Sequence, residues 1–292
     1  MKQKSMILLA LIAALLSTGS DARAVNWTPG WTTQPEKGAI AVSAAARPEA
    51  QRLGDAIDSP ESARTAILAW ERVTAAQPDD VDAWVELACL RLLEGAAYRQ
   101  HSKERLACYI AGIQACERAM ATNPEFLRRV QSGQTVAQAS AALGPREMGA
   151  MHFWATGVFY IFRDCLGFFG RIANVRRMEE AKGMLVRMDA VDPTWEQSTS
   201  TFSWGIYYLA MPSSRGGDKV KARECFDRAV QLGINRTIPR WGRGKYFYVA
   251  MNETAASQAD LAAVAAREID ELGGSRPWNR YLKIEASRLL AK

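Results

Sequence analysis

Histidine is scarce in this chain of 292 residues, which contains only His101 and His152. Neither has cysteine, aspartate or glutamate neighbours at metal-ligand spacing, so the sequence argues against a zinc site and against histidine-based catalysis. The nucleophile motif G-x-S-x-G is missing. The stretch from Gly242 to Lys245 lacks the full spacing of a phosphate-binding loop. We therefore expect no metal, no cofactor and no enzyme activity.

A C-x-x-C pair is missing as well, and the number of cysteines is odd. Cys108 and Cys116 should share one helix, with about 12 Å between them at 1.5 Å per residue. That separation is too long for a disulfide. We expect buried apolar thiols, although an oxidising compartment would permit one bridge. The five cysteines are Cys89, Cys108, Cys116, Cys165 and Cys225.

Apolar runs long enough to cross a membrane are also missing. Residues 6 to 16 are apolar and uncharged but too short for a bilayer, and they follow Lys2 and Lys4. With the A-x-A site that ends at Ala24, this is the layout of a secretory signal peptide over residues 1 to 24. No cysteine lies near the cleavage site, so we expect a free periplasmic protein without a lipid anchor. An uncleaved anchor or a frayed amphipathic helix is the alternative.

The excess of positive charge is small, at +6. It is too small to argue for nucleic acid, which an exported protein would not meet, but it suits an acidic partner or ligand. Four basic residues, Arg236, Arg240, Arg243 and Lys245, interleave with aromatic ones. This run indicates either a solvated helix start or a contact for a carboxylate ligand or acidic partner, for which we select Arg240.

Alternation of apolar and polar residues, the pattern of strands, is nearly absent. Alanine, leucine, glutamate and arginine dominate the periodic stretches. The sequence therefore predicts an all-α fold. Residues 25 to 58 show no persistent period and should form an irregular N-terminal segment. Ser59 and Pro60 then mark a helix start, so we place a helical-repeat domain at residues 59 to 292.

The repeat pattern is clearest over residues 217 to 229, which read Gly-x4-Ala-x3-Phe-x2-Ala, the second half of a tetratricopeptide-type repeat. Small residues should let paired helices approach, while aromatic side chains fill the gaps between pairs. Gly95 and Gly217 should end their helices in the left-handed conformation. Because repeat length is irregular, we expect a closed or distorted superhelix. The repeat-defining residues are Ala66, Trp70, Trp84, Gly95, Gly217, Asp218, Ala222, Phe226 and Ala229.

One stretch, from Met151 to Phe162, is apolar on every helical face and predicts a buried central helix. Its aromatic residues either pack the core alone or line an apolar cavity with a few polar groups. A second aromatic cluster, around Trp204, could face the same space. For this predicted groove we select Trp154, Tyr160, Arg163, Trp204, Tyr207 and Arg240.

The segment from Met211 to Asp218, followed by Ala222, Phe226 and Ala229, resembles a family signature. Its Pro and Gly-Gly-Asp are similar to those of the T component (TatT) associated with TRAP transporters, the tripartite ATP-independent periplasmic transporters. The resemblance implies cryptic helical repeats, a central pore or groove, and a trimer. It also implies docking of a periplasmic solute-binding protein that carries organic acids or other hydrophobic ligands.

The sequence thus predicts a non-enzymatic periplasmic accessory protein. It would bind a solute-binding protein of a TRAP-type transporter and a small apolar or carboxylate ligand. The alternative is a periplasmic helical-repeat scaffold for the assembly of the cell envelope or of redox enzymes, without a small ligand.

Overall fold

The computed structural model describes residues 24–32 and 45–291. Every regular element in these ranges is helical, which confirms the predicted all-α fold. The predicted signal peptide lies outside the described residues, apart from Ala24. No helix in the described ranges is both long and apolar enough to span a bilayer. The packing of the helices into a tetratricopeptide-like superhelix stays a prediction.

The first four helices are α1 (Ala46–Asp55), α2 (Pro60–Ala76), α3 (Val81–Leu93) and α4 (Ser102–Ala121). As expected from the sequence, Ser59 caps α2 and Pro60 occupies its first turn. Asp80 caps α3 by accepting a hydrogen bond from the backbone of Ala83. The helix α3 continues into a π-helical turn, Glu94–Tyr98, and then pairs with α4.

The helix α1 corrects the prediction of an irregular segment over residues 25 to 58. Pro48 lies in its first turn, where the missing N–H group costs nothing. The side chain of Arg52 pairs with Glu49, and Ala50 is fully buried. Packing against α2 therefore stabilises a helix that shows no clear periodicity in the sequence.

The middle of the chain contains α5 (Pro124–Gln131), α6 (Val136–Ala139), α7 (Met148–Tyr160), α8 (Phe168–Ala173) and α9 (Val175–Val191). The helix α7 is the predicted apolar one, and it packs against α3, α4 and α9. It ends in a second π-helical turn, Ile161–Cys165. Its position at the centre of the main core brings its C-terminal residues next to the later helices.

The last helices are α10 (Thr199–Ala210), α11 (Lys219–Leu232), α12 (Ile238–Gly242), α13 (Thr254–Ala265) and α14 (Arg276–Leu290). A third π-helical turn, Arg243–Tyr248, extends α12. The helix α14 returns to the beginning of the described chain, where it contacts α1 and where Arg280 donates a hydrogen bond to the carbonyl of Ile57. The C-terminal and N-terminal helices therefore close around one shared space.

The repeat-defining residues are buried with the exception of two at the turn before α11, Gly217 and Asp218. Neither Gly95 nor Gly217 has a left-handed backbone conformation, which corrects that part of the prediction. The neighbouring Gly216 does have one, with φ 91°. Gly95 lies inside a π-helical turn, where an added Cβ would come within 2.5 Å of the Tyr109 ring. Both positions need glycine because of close packing, not because of backbone handedness.

Candidate functional site

A cavity of about 850 Å³ lies between α7, α10, α12 and α14, with part of α1 and α3 at its side. Its volume is typical of small-molecule sites, and much of its wall is aromatic. Some lining residues, such as Arg171 and Val249, are exposed, so the cavity opens to solvent. The main aromatic residues of the wall are Phe153, Phe159, Tyr160, Trp195, Phe202, Trp241, Tyr246 and Trp278.

Arg163 contributes a polar group to this wall and lies in the π-helical turn after α7. Its guanidinium lies 4.5 Å from the centroid of the Tyr160 ring and donates to the Tyr246 hydroxyl. It also donates to Asp164, with 2.6 Å between Nη2 and Oδ2. Burial alone would raise the pKa of Asp164, but Arg163 and the Tyr109 hydroxyl hold it below its usual value. Arg163 and Asp164 are therefore an ionised and mutually neutralising pair.

Lys245 is the second partly buried cation of the wall, in the π-helical turn after α12. Its Nζ lies 2.7 Å from Glu285 Oε1 and 4.7 Å from the centroid of the Trp241 ring. Burial lowers the pKa of Lys245, while the charge of Glu285 acts in the opposite direction. Lys245 and Arg163 thus share the aromatic surroundings of Tyr246, since both lie close to its ring.

His152 lies on the opposite side of α7 from the core, against the rings of Phe153 and Trp195. Its Nδ1 is buried and has no hydrogen-bond partner among the described residues. Burial lowers the pKa of His152 from 6.5 to about 4. The imidazole is therefore neutral at ordinary pH and adds no positive charge to the cavity.

The shifted pKa of His152 predicts a loss of stability in acid. The pKa of His152 is lower in the folded state than in the unfolded state. The stability that depends on the neutral imidazole is therefore complete above pH 6.5 and is lost as pH falls towards 4. Wild type should lose at most about 3 kcal/mol more than His152→Gln over that window, at 1.36 kcal/mol per pKa unit. Urea unfolding at several pH values measures this. The exposed His101, changed to glutamine, is the control and should behave as wild type.

Two of the six residues selected for the groove, Tyr160 and Arg163, line the cavity. Trp154 instead points into the core on the other side of α7, where its indole N–H donates to Glu117. Arg240 pairs with the buried carboxylate of Asp260, outside the cavity wall. All faces of α7 are apolar or aromatic, and α12 belongs to a run of interleaved basic and aromatic residues, so the sequence pattern did not indicate which face of either helix meets the cavity.

Trp204 and Tyr207 also lie outside the cavity wall, although both are on α10. The indole of Trp204 donates to Asp189 Oδ2 at 2.7 Å and its ring stacks on Tyr208. Tyr207 is 1% exposed and reaches the carbonyl of Arg215. The face of α10 that lines the cavity is the other one, which carries Phe202, Ser203 and Ile206.

Three prominent wall residues, Trp241, Lys245 and Trp278, were not selected from the sequence. The interleaving of basic and aromatic residues from 236 to 248 was the signal for the first two. The sequence leaves this run open between a solvated helix start and a contact for a ligand or acidic partner, because the π-helical turn that contains Lys245 has no sequence signature. Trp278 reaches the cavity only because α14 returns to the early helices.

Glu117 is a buried carboxylate of α4 that lies outside the cavity and organises the start of the described chain. It is 1% exposed. Its oxygens accept hydrogen bonds from the Trp154 and Trp27 indoles and from the Gly30 backbone N–H, the last at 2.6 Å. Burial raises its pKa in spite of these donors. Glu117 therefore helps to hold the N-terminal residues 24–32 against the core, together with Asn174, which accepts from the Val25 backbone N–H, and Gln114, which donates to the Thr28 carbonyl.

A family model described as TRAP transporter T-component matches residues 69–292. The match contains every cavity-lining residue except the three on α1, which are Gln51, Gly54 and Asp55. A comparison with curated proteins gave no match. The family match spans well over half of the chain, and it agrees with the resemblance seen around Gly217 and Asp218. The chain therefore belongs to the TRAP transporter T-component family.

Proposed function

We propose that this protein is a non-enzymatic periplasmic accessory component of a TRAP-type transporter. It binds the solute-binding protein of that transporter and holds a small organic molecule in the cavity. Family membership supports the association with a transporter. The cavity of about 850 Å³, with its aromatic wall and few polar groups, is the observation that carries ligand binding.

A space of this size is unusual for packing alone. Protein interiors are close-packed, and voids larger than a water molecule are few. Here the wall also contains partly buried charges that are fixed by aromatic rings and by carboxylates, as at Arg163 and Lys245. Such an arrangement costs desolvation energy that a purely structural core avoids. A role of these charges in ligand binding would explain why they are present in the wall in spite of this desolvation energy.

The first test is native mass spectrometry of the protein purified from its periplasm, with the solute-binding protein of the transporter. A stoichiometric complex supports the transport role. The same spectra give the oligomeric state, for which the resemblance predicts a trimer. Recovery of a cell-envelope or redox enzyme instead, with no small molecule retained, would favour the scaffold alternative.

Filling the cavity should separate ligand binding from partner binding. Thr156 lines the cavity from α7, and Thr156→Phe places a ring in that space. We expect ligand affinity to fall at least tenfold, because the added side chain and the ligand compete for one volume. The complex with the solute-binding protein should persist, as measured by native mass spectrometry.

The matched control is Thr65→Phe, the same change on an exposed position of α2 outside the cavity. This variant should bind ligand as wild type does. Unchanged ligand binding in Thr156→Phe, in a protein that melts like wild type, would contradict a ligand site in the cavity.

A further inference from the structure

Four polar atoms of cavity-lining residues have no hydrogen-bond partner among residues 24–32 and 45–291; they are His152 Nδ1, Trp278 Nε1, Thr237 Oγ1 and Trp241 Nε1. The last two belong to α12 and the residue that precedes it. Both residues are 2% exposed. A buried indole N–H or hydroxyl without a partner is costly, and most such groups in folded proteins are paired. Their presence side by side in a cavity wall is a reason to look for what they bind.

Thr237 and Trp241 lie one helical turn apart in the chain. The two residues are four positions apart at the start of α12, where the backbone N–H of Trp241 donates to the Thr237 carbonyl at 3.1 Å. Residues at this spacing share one helix face. Because both also line the cavity, they offer two adjacent hydrogen-bond donors to a single acceptor group in it.

Three of the four cations of the wall are already neutralised. Arg163 pairs with Asp164 and Lys245 pairs with Glu285. A third basic residue of the wall, Arg236, pairs with Glu196, which also lines the cavity. A carboxylate ligand would have to displace one of these carboxylates to gain a cation of its own.

Arg171 is the remaining lining arginine, and it is exposed. Its guanidinium donates to two backbone carbonyls, those of Phe162 and Arg163, both at 3.1 Å. It lies on α8, on the solvent side of the wall. Water screens such an exposed charge, so it adds little attraction for an anion inside the cavity.

Two lining carboxylates, Asp55 and Glu86, have no ion-pair partner within the described part of the chain. Burial raises the pKa of Glu86, and the neighbouring charge of Asp55 raises it further. After its internal pairs are formed, the wall therefore retains an excess of acidic groups over buried cations. An anionic ligand would meet repulsion from them and no free buried cation.

We propose that the cavity binds an uncharged amphiphile whose carbonyl oxygen accepts hydrogen bonds from Trp241 Nε1 and Thr237 Oγ1. An amide, ester or ketone on an apolar chain has this chemistry, and the aromatic wall accommodates the chain. The inference rests on the proposed function, because it assumes that the cavity is a ligand site. It replaces the organic acid implied by the resemblance with a neutral ligand.

The test compares three probes with one chain length at pH 8, by isothermal titration calorimetry on the mature protein. Octanamide is neutral, octanoate is an anion and octylammonium is a cation. We expect octanamide to bind about tenfold more tightly than either charged probe, since desolvating an unpaired charge is costly. The cation also has no acceptor for the two donors.

Thr237→Val removes one donor without changing the shape of the side chain. It should weaken octanamide binding about five- to tenfold and leave the binding of octylammonium, which has no acceptor for the hydroxyl, unchanged. Its melting temperature should equal or exceed that of wild type, because the lost hydroxyl made no hydrogen bond. Thr237→Ser keeps the hydroxyl and should restore octanamide binding.

The matched control is Thr199→Val, on the cavity wall in α10. Its hydroxyl already donates to the Glu196 carbonyl at 3.2 Å, so it is not available to a ligand. This variant should bind octanamide as wild type does. Equal losses in Thr237→Val and Thr199→Val would overturn the role of Thr237.

The two proposals fail in different ways. Tighter or equal binding of octanoate or octylammonium overturns the neutral-ligand inference and leaves a ligand site in place. Absence of binding by all three probes, together with the absence of any retained molecule in native mass spectra, overturns both the inference and ligand binding as part of the proposed function.

Discussion

Glu117→Ala is expected to lower the free energy of unfolding by about 4 kcal/mol. The change removes the acceptor of three buried N–H groups, those of Trp27, Gly30 and Trp154. It also leaves a cavity beside α7. Two of the three donors belong to the N-terminal residues 24–32, so these should detach first. Urea unfolding measures the stability, and hydrogen exchange should show the loss of protection at Gly30.

Glu125→Ala is the control for this prediction. Glu125 lies on the next helix, and it pairs with Arg128 and Arg129 at the surface, with 43% of its side chain exposed. Removing it should cost much less stability than removing Glu117, because water replaces exposed ion pairs. Glu117→Gln keeps one carbonyl acceptor and should fall between the two alanine variants. A loss in Glu117→Ala no larger than that in Glu125→Ala would contradict the role of this carboxylate.

Gly217→Ala should be the most damaging single methyl addition in the turn before α11, with a cost of about 3 kcal/mol. An ideal Cβ at this position would lie 1.8 Å from the Met211 carbonyl oxygen and 2.5 Å from its carbon. Backbone atoms cannot move aside as a flexible side chain can. The turn would have to open and separate α11 from α10, which should lower the melting temperature.

Gly133→Ala is the matched control. Gly133 has φ 91°, and a Cβ there would meet nothing within 4 Å, so it tests left-handed strain without a clash. We expect a cost of about 1 kcal/mol. If thermal unfolding gave equal losses for the two variants, the requirement at Gly217 would be backbone conformation and not the close approach to Met211.

Local signals in the sequence were sufficient for helices with strong caps or a clear apolar pattern. The capped start at Ser59 and Pro60 is observed. The family signature around Gly217 was confirmed by the family match. Such features depend on residues within one or two helical turns, and these are adjacent in the sequence.

The candidate site could be predicted only in part. Tyr160 and Arg163 follow from the apolar helix and its polar end. The choice between Trp154 and the opposite face of α7 could not be made, because a helix that is apolar all round has no preferred direction in sequence. Trp278 could not be connected to the cavity either, since it lies more than a hundred residues away from Tyr160, whose ring it approaches at 6.1 Å between centroids.

The sequence by itself determined the helical class and the family, because helix propensity, caps and short motifs act over a few residues. Tertiary structure alone decided where the cavity lies, which face of α7 meets it and which charges in its wall are already paired. Those properties depend on π-helical turns and on the return of α14 to α1. They arise from contacts between distant segments, which no local pattern records.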